Sequence, residues 1–311
     1  RREMLTGVRN SMTEPQAVAS VAMSRYFDRW PEGHPYAVLS FEQQIKAMQA
    51  LELEDIRAFH RDFYGTAGAS IAIVGDVDAE ATQAQVDALF GDWNAPVAFP
   101  RIPSPHHTMP AVREQIETPD KANAMLLGML RVPVNQDHED YPALVVGNQI
   151  LGGGSKSRLY DRIREREGLS YGVGSGFSGS ALDETGNFSL YAIAAPENIP
   201  AVETAMAEEM ARLLDEGIDA DELSEAVNGM LESRRTSRAS DGALAGMLSN
   251  NLYRDRSMAD QAKFEDDLRA KTPESVLAAL RRHLRPAEIS YFVAGDFAAA
   301  EGREPTRVSD E

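Results

Sequence analysis

Hydrophobic and polar positions along this chain switch repeatedly between a helical and a strand period. Residues 1–29 read as helical, with a break at Thr13-Glu14-Pro15, where Pro15 suits the first turn of a new helix. Residues 30–36 form a loop by their Pro and Gly content. Two short helices follow, at 41–51 and 52–64. The second sets Ile56, Phe59, Phe63 and Tyr64 on or near one face. Residues 70–74 read as a buried strand closed by Gly75-Asp76, and 80–89 as an amphipathic helix. After a proline-rich stretch come strands near 113–118 and 123–132, a helix at 138–151 and a glycine-rich turn. Beyond them lie a strand carrying Tyr171, a turn at Asp183-Glu184-Thr185-Gly186 and a strand at 188–194. Helices are expected at 199–216, 219–234, 241–253, 260–270 and 273–284, before a last strand at 289–293. This order does not alternate strand with helix. It predicts an α+β fold, an antiparallel-rich sheet packed by helices.

The densest stretch is residues 151–177. Gly152, Gly153 and Gly154 give a flexible turn, and Ser155 is placed to cap a helix that runs to about Glu167. Gly168 is placed to end that helix in the left-handed conformation. In the strand that follows, Tyr171, Val173, Ser175 and Phe177 alternate with Ser170, Gly172, Gly174 and Gly176. One face is bulkier and the other nearly bare backbone, which lets an extended peptide come close. The helix brings Arg164 and the strand brings Tyr171 to the same junction.

A repeat lies beneath this order. Glu54 and Glu274, Arg61 and Arg281, and Gly75-Asp76 and Gly295-Asp296 all share an offset of 220 positions (274 − 54, 281 − 61, 295 − 75). A helix followed by a strand ending in Gly-Asp therefore occurs twice, at a spacing far too long for a solenoid. The reading is a duplicated domain. Residues 1–95 form the C-terminal part of a first domain truncated at its N-terminus. Residues 96–112, with Pro96, Pro100, Pro103, Pro105 and Pro110, form a linker. Residues 113–302 form a complete second domain, and 303–311 a polar tail.

Composition narrows the function classes. The 311 residues are 43% hydrophobic and 26% charged, with a net charge of −18, the wrong sign for nucleic-acid binding. No cysteine is present, so disulfides and thiolate metal sites are excluded. No apolar run is long enough to span a membrane. The opening RREMLTGVRN lacks an apolar core and reads as mid-helix rather than as a signal peptide, as expected of a fragment. A phosphate-loop reading of Gly154-Ser155-Lys156-Ser157 fails on residue order, and Gly174, Gly176 and Gly179 lie along a strand instead of opening a helix. The stripe Arg158, Arg162, Arg166 reads as a solvated face paired with Asp161 and Glu165, His106-His107 as solvated linker, and Met125, Met129, Met206, Met210 and Met230 as core filler.

Several motifs together resemble the insulinase/pitrilysin family of inverted zincins. They are the glycine-rich turn with Ser157-Arg158-Leu159-Tyr160 and Arg164-Glu165-Arg166-Glu167-Gly168-Leu169-Ser170-Tyr171, together with Gly33-His34-Pro35-Tyr36, Phe59-His60-Arg61-Asp62-Phe63-Tyr64 and Ile73-Val74-Gly75-Asp76. The resemblance implies a zinc metalloendopeptidase in which two halves, each of two related α+β domains, close around a chamber. One half holds zinc through H-x-x-E-H. The opposite half offers an Arg and a Tyr to the substrate, and these fall on Arg164 and Tyr171, with Gly172 and Gly174 beside them. None of the six histidines has Glu at +3 and His at +4, and the His138-Glu139 start of an H-E-x-x-H meets Pro142. The expectation is a non-catalytic, substrate-binding half with no metal of its own. Zinc would belong to a catalytic half, in the same chain or a partner subunit, and the fragment alone would be inactive. A periplasmic or otherwise exported location is implied, with the cytoplasm as the alternative. The competing reading is a structural or partner subunit of the same fold with no peptidase role.

Overall fold

The computed structural model describes residues 1–307; residues 308–311 of the expected polar tail lie outside the described residues. In chain order the helices α1 (Arg2–Ser11), α2 (Pro15–Tyr26), α3 (Phe41–Ala50), α4 (Leu53–Phe63) and α5 (Ala79–Phe90) precede the strands β1 (Arg113–Glu117) and β2 (Ala124–Val132). Helix α6 (Tyr141–Gly152), a π-helix (Tyr160–Arg166) and the strands β3 (Gly172–Gly179) and β4 (Gly186–Ala194) follow. Then come α7 (Ile199–Glu216), α8 (Ala220–Arg238), α9 (Asp241–Tyr253), α10 (Met258–Arg269), α11 (Pro273–His283), β5 (Ser290–Gly295) and α12 (Phe297–Ala300).

Contacts group the chain into two compact units that do not follow its linear order. One holds residues 1–49, 105–226 and 271–311, and the other holds residues 50–104 and 227–270. The sequence reading set a boundary at the proline-rich stretch and kept residues 1–95 together. In the structure the first 49 residues go with the sheet, because α2 turns Val18, Ala22 and Met23 onto buried Met125, Phe292 and Ala294.

The first unit is built on one five-stranded sheet in the order β1-β5-β2-β4-β3. Only the β1–β5 pair is parallel. This is the expected antiparallel-rich α+β sheet. Along β2 and β4, alternate residues are fully buried and part-exposed, the signature of a sheet with unequal faces. The buried positions include Leu126, Leu130, Leu190 and Ala192, and Val173 of β3 joins them. On that side Asn148 of α6 accepts a hydrogen bond from the Ser175 hydroxyl at 2.8 Å. Behind α6, a side chain at Gly147 would sit 2.8 Å from Leu280 of α11, so glycine is what allows those two helices to touch. Burial pushes the pKa of Tyr291 up to about 12.

The second unit gathers α4, α5, α9, α10 and the end of α8. Glu265 of α10, buried, accepts from Arg234 (3.1 Å) and from Arg238 of α8. The Arg238 hydrogen bond, with Arg234 behind it, holds the Glu265 carboxyl below its usual range against the opposing effect of burial. Residues 70–74 do not form the expected strand. Among the described residues no strand lies beside them, and without a partner a strand leaves its backbone groups unpaired.

A polar clamp joins α6 to α11. Asp140, before the first turn of α6, accepts from Arg282 Nε (2.9 Å), from Arg282 Nη2 and from His283 Nε2 (2.9 Å). Burial raises the Asp140 pKa, but the bonds from Arg282 and His283 outweigh it and leave the carboxyl below its usual range. A carboxyl lowered on folding stabilises fully above its unfolded pKa, about 3.9, and loses that stabilisation as pH falls through the lower folded value. Asp140→Asn should therefore cost on the order of 2 kcal/mol at pH 7. The difference from the parent should shrink once pH drops below about 3.9. Urea midpoints across that range check this.

Candidate functional site

The site begins at the end of α6. A side chain at Gly152 would lie 2.4 Å from Ser175 N, so glycine is required where the helix end meets the strand backbone. The next helical segment carries no side-chain cap, where Ser155 was expected to supply one. Ser155 lies in a turn, and it is Ser157, buried, whose hydroxyl donates to the Gly154 carbonyl at 2.5 Å while its own carbonyl accepts from Asp161 N–H at 2.9 Å. The segment continues as a π-helix over Tyr160–Arg166, a geometry that recurs at functional sites. Gly168 ends it at φ 64°, as the sequence indicated, and Leu169 N–H reaches back to the Ile163 carbonyl at 2.8 Å.

Arg158 and Arg162 are not the solvated stripe that their spacing suggested. Arg158 makes a bidentate pair with Glu222 of α8, with both bonds at 2.7 Å. Arg162 reaches Glu167 at 2.8 Å, buried Glu209 at 3.3 Å, and Glu208. Only Arg166 keeps a local exposed partner, Asp161, at 2.8 Å. These part-buried pairs hold the segment against α7 and α8, beside the point where Arg164 emerges. His107 is likewise not free in the linker: its ring lies 2.9 Å from Arg131 Nη1.

Arg164 and Tyr171 do meet, through the backbone. Arg164 Nη1 donates to the Tyr171 carbonyl, and its guanidinium carbon lies 5.6 Å from the centre of the Tyr160 ring. Tyr171 N–H donates to the Ile193 carbonyl at 2.9 Å. Ser170, buried, donates to that same carbonyl at 2.7 Å and accepts from Gly172 N–H at 3.2 Å. Tyr171 therefore sits just before β3 rather than within it. Its backbone is held on both sides while its side chain is 52% exposed.

β3 is an edge strand. Its outer edge pairs with no other strand among the described residues. Gly172, Gly174 and Gly176 stand opposite Ile193, Tyr191 and Ser189 of β4 on one face. That face is less bare than the alternation implied. A side chain at Gly174 would meet the Gly152 carbonyl at 2.8 Å and the Tyr191 ring at 2.9 Å. Gly172 opens onto free space, with nothing within 4 Å of a side chain built there. Beside this junction Lys121, Met125, Ile193 and Glu14 line a cavity of about 240 Å³, with Lys121 and Glu14 paired at 2.8 Å. The cavity and Tyr191 went unnoticed in the sequence. Their one signal was the exposed phase of β4, where Tyr191 faces the glycines.

With this geometry in hand, comparison with known proteins decides the family. The description "Peptidase M16 inactive domain" matches residues 50–230, more than half of the chain. The chain belongs to the M16 peptidase family. An uncharacterized zinc protease of Streptomyces coelicolor is 29% identical over 245 residues, covering 76% of this chain and 52% of that protein. One of Bacillus subtilis is 26% identical over 196 residues, covering 63% of this chain and 45% of that protein. The chain thus spans about half the length of these curated relatives. A crystal structure of an M16 inactive domain from Pseudomonas fluorescens superposes with a TM-score of 0.77 at 27% identity, over 94% of this chain and 69% of that one. The resemblance read from the motifs is thereby shown, and so is the zinc-protease setting of the fold.

The family's metal belongs to its catalytic half, and the donors present in this chain do not fit it. Among the described residues, His138, Asp140 and His283 form the one gathering of three possible ligands, with ligand atoms within 4.8 Å of one another. His138 Nδ1 already accepts from Asp140 N–H at 3.0 Å, and the Asp140 carboxylate is taken by Arg282 and His283. This set is the α6–α11 clamp, and it lacks the H-x-x-E-H spacing. No helix among the described residues is long and apolar enough to cross a membrane.

Arg164→Ala removes the donor to the Tyr171 carbonyl and leaves the sheet intact. Amide exchange at Tyr171 and Gly172 should quicken roughly tenfold, the equivalent of about one charged hydrogen bond. Global stability should shift by less than about 1 kcal/mol. Residue-resolved hydrogen exchange with a thermal melt checks both.

Proposed function

We propose that this chain is the non-catalytic, substrate-holding part of a zinc metalloendopeptidase. It would work against a catalytic half supplied by the same gene product or a partner subunit. One observation carries the reading: an unpaired strand edge, β3, starts at a tyrosine whose backbone is tied down and whose side chain is free. An extended peptide adds to that edge by main-chain hydrogen bonds, a mode that accepts many sequences. The open position at Gly172 lets the incoming backbone approach. The cavity beside Ile193 and Met125 takes a side chain of the peptide, with Lys121 at its rim.

In such an enzyme the zinc of the catalytic half supplies an activated water. The role assigned to Tyr171 is to present its hydroxyl to the oxygen that gains charge as water adds to the peptide carbonyl. Arg164 acts as a positioning residue. It spends its donor on the Tyr171 carbonyl and so sets where the ring stands. An exported location remains part of this proposal, and cell fractionation would check it.

The 311-residue chain alone should not cleave an unstructured peptide. Together with its catalytic half it should, and a zinc chelator should stop the reaction. In that assembly Tyr171→Phe should lower kcat by roughly 100-fold and change KM by less than about threefold. Chelator-sensitive cleavage that ignores the Tyr171 change would remove the tyrosine from the chemistry. No cleavage by the assembly would favour a purely structural role for the fold.

A further inference from the structure

A cluster of basic side chains gathers around His106 and His107 in the first unit. Arg131 of β2 is part-buried there. Its Nη1 donates to His107 Nδ1 at 2.9 Å, and its Nη2 makes only a long contact, 3.4 Å, with the Thr185 hydroxyl. His107 Nε2 lies 3.2 Å from the Phe27 carbonyl, to which it donates, so Nδ1 is the accepting nitrogen. Two buried nitrogens have no hydrogen-bond partner, Arg131 Nε and His106 Nδ1. Arg29, exposed just beyond α2, donates to the Pro105 carbonyl at 3.3 Å, immediately before the two histidines. Arg285, after α11, adds positive charge near His106, while its own carboxylate partner, Glu288, lies 3.1 Å away on the same turn.

Among the described residues no carboxylate bonds to Arg131, Arg29, His106 or His107. That is unexpected in a chain with 49 Asp and Glu against 31 Lys and Arg. Arg158 and Arg162, also part-buried, each hold a glutamate. A guanidinium drawn out of water without a counter-charge is costly. Burial pulls the pKa of Arg131 down, and Arg29 pulls it further. Burial likewise pulls His106 and His107 down, with Arg131 next in effect, and no carboxylate opposes these shifts. A guanidinium fork, two imidazoles and a hydroxyl are the donors that hold an oxyanion.

We infer that this cluster binds a small oxyanion, a phosphate-like group or a carboxylate, through Arg131, Arg29 and the paired histidines. The anion supplies the missing counter-charge and ties residues 105–107 to β2 and to the end of α2. Arg131 Nη2, weakly used by Thr185, is free to make a shorter bond to it. The site stands apart from the peptide edge. Arg131 pairs with Asn187 of β4, six residues (193 − 187) from the Ile193 carbonyl that holds Tyr171, about 20 Å along the strand. The rings make binding depend on pH. Arg131, Arg29 and Arg285 are the charged groups that face them. A bound anion favours the charged imidazoles, so protonation and binding reinforce one another as pH falls through about 6.5.

Side-chain NMR of His106 and His107 in the 311-residue chain tests this. The probes are inorganic sulfate, whose charge is constant between pH 6 and 8, and acetate, with sodium chloride at matched ionic strength as the control. The expected result is a saturable shift of both ring signals at pH 6, half complete at on the order of 1 mM anion. Binding should weaken at least about threefold by pH 8. Saturation by sulfate alone marks a phosphate-like ligand, and by acetate alone a carboxylate; either supports the site. Shifts that match the chloride control would overturn the inference. Arg131→Gln should abolish saturation. Arg29→Gln changes an exposed side chain and keeps the test decisive if the first variant does not fold. It should weaken binding at least about threefold, and parent-like saturation in it contradicts the proposal.

Discussion

A β-strand has to pair its backbone and bury its side chains at once, and the fold depends on how β5 does both. β5 lies between a parallel and an antiparallel neighbour, with Phe292, Val293 and Ala294 fully buried. Helix α2 lies on one face of it. On the opposite side of the sheet, α6 is drawn onto β3 and locked to α11 through Asp140. β3 lies at one of the two edges of the sheet and β1 at the other. The junction before β3 is shaped by the helical segment behind it, which part-buried Arg158 and Arg162 pairs hold in place.

The same demand explains the contrast between the two copies of the helix–strand repeat. A strand sequence without neighbours stays irregular, however apolar it is, because unpaired backbone groups prefer water to each other. Residues 70–74 and β5 end in the same Gly-Asp and differ in what lies beside them. Local sequence sets the helix and its caps, while the strand is a property of the sheet.

Much of this was legible in the residues. The longer helices, the left-handed Gly168 and all five observed strands follow from local periodicity and turn chemistry. So does the antiparallel-rich α+β class. The failures share one cause, the reliance on non-local partners. The strand expected at 70–74 needed neighbours, and among the described residues none lies beside it. The Ser155 cap expected from local pattern is not formed, and it is the neighbouring Ser157 that packing buries. Arg158 and Arg162 read as solvated because their partners, Glu222 and Glu209, lie far along the chain. Arg164 and Tyr171 were named as candidates by motif and spacing. The way they meet, guanidinium to carbonyl, and the closing of Gly174 by Tyr191 depend on the sheet register.

The central claim is that an extended peptide adds to β3 beside Tyr171. The most direct measurement is residue-resolved amide exchange of the 311-residue chain, with and without a saturating unstructured peptide that lacks charge clusters. The account predicts new protection confined to the alternate β3 amides that face away from β4, with the Tyr171 amide, already bonded to Ile193, unchanged, and loss of that protection when a proline replaces a central residue of the peptide. Protection elsewhere, or none at saturation, would contradict it.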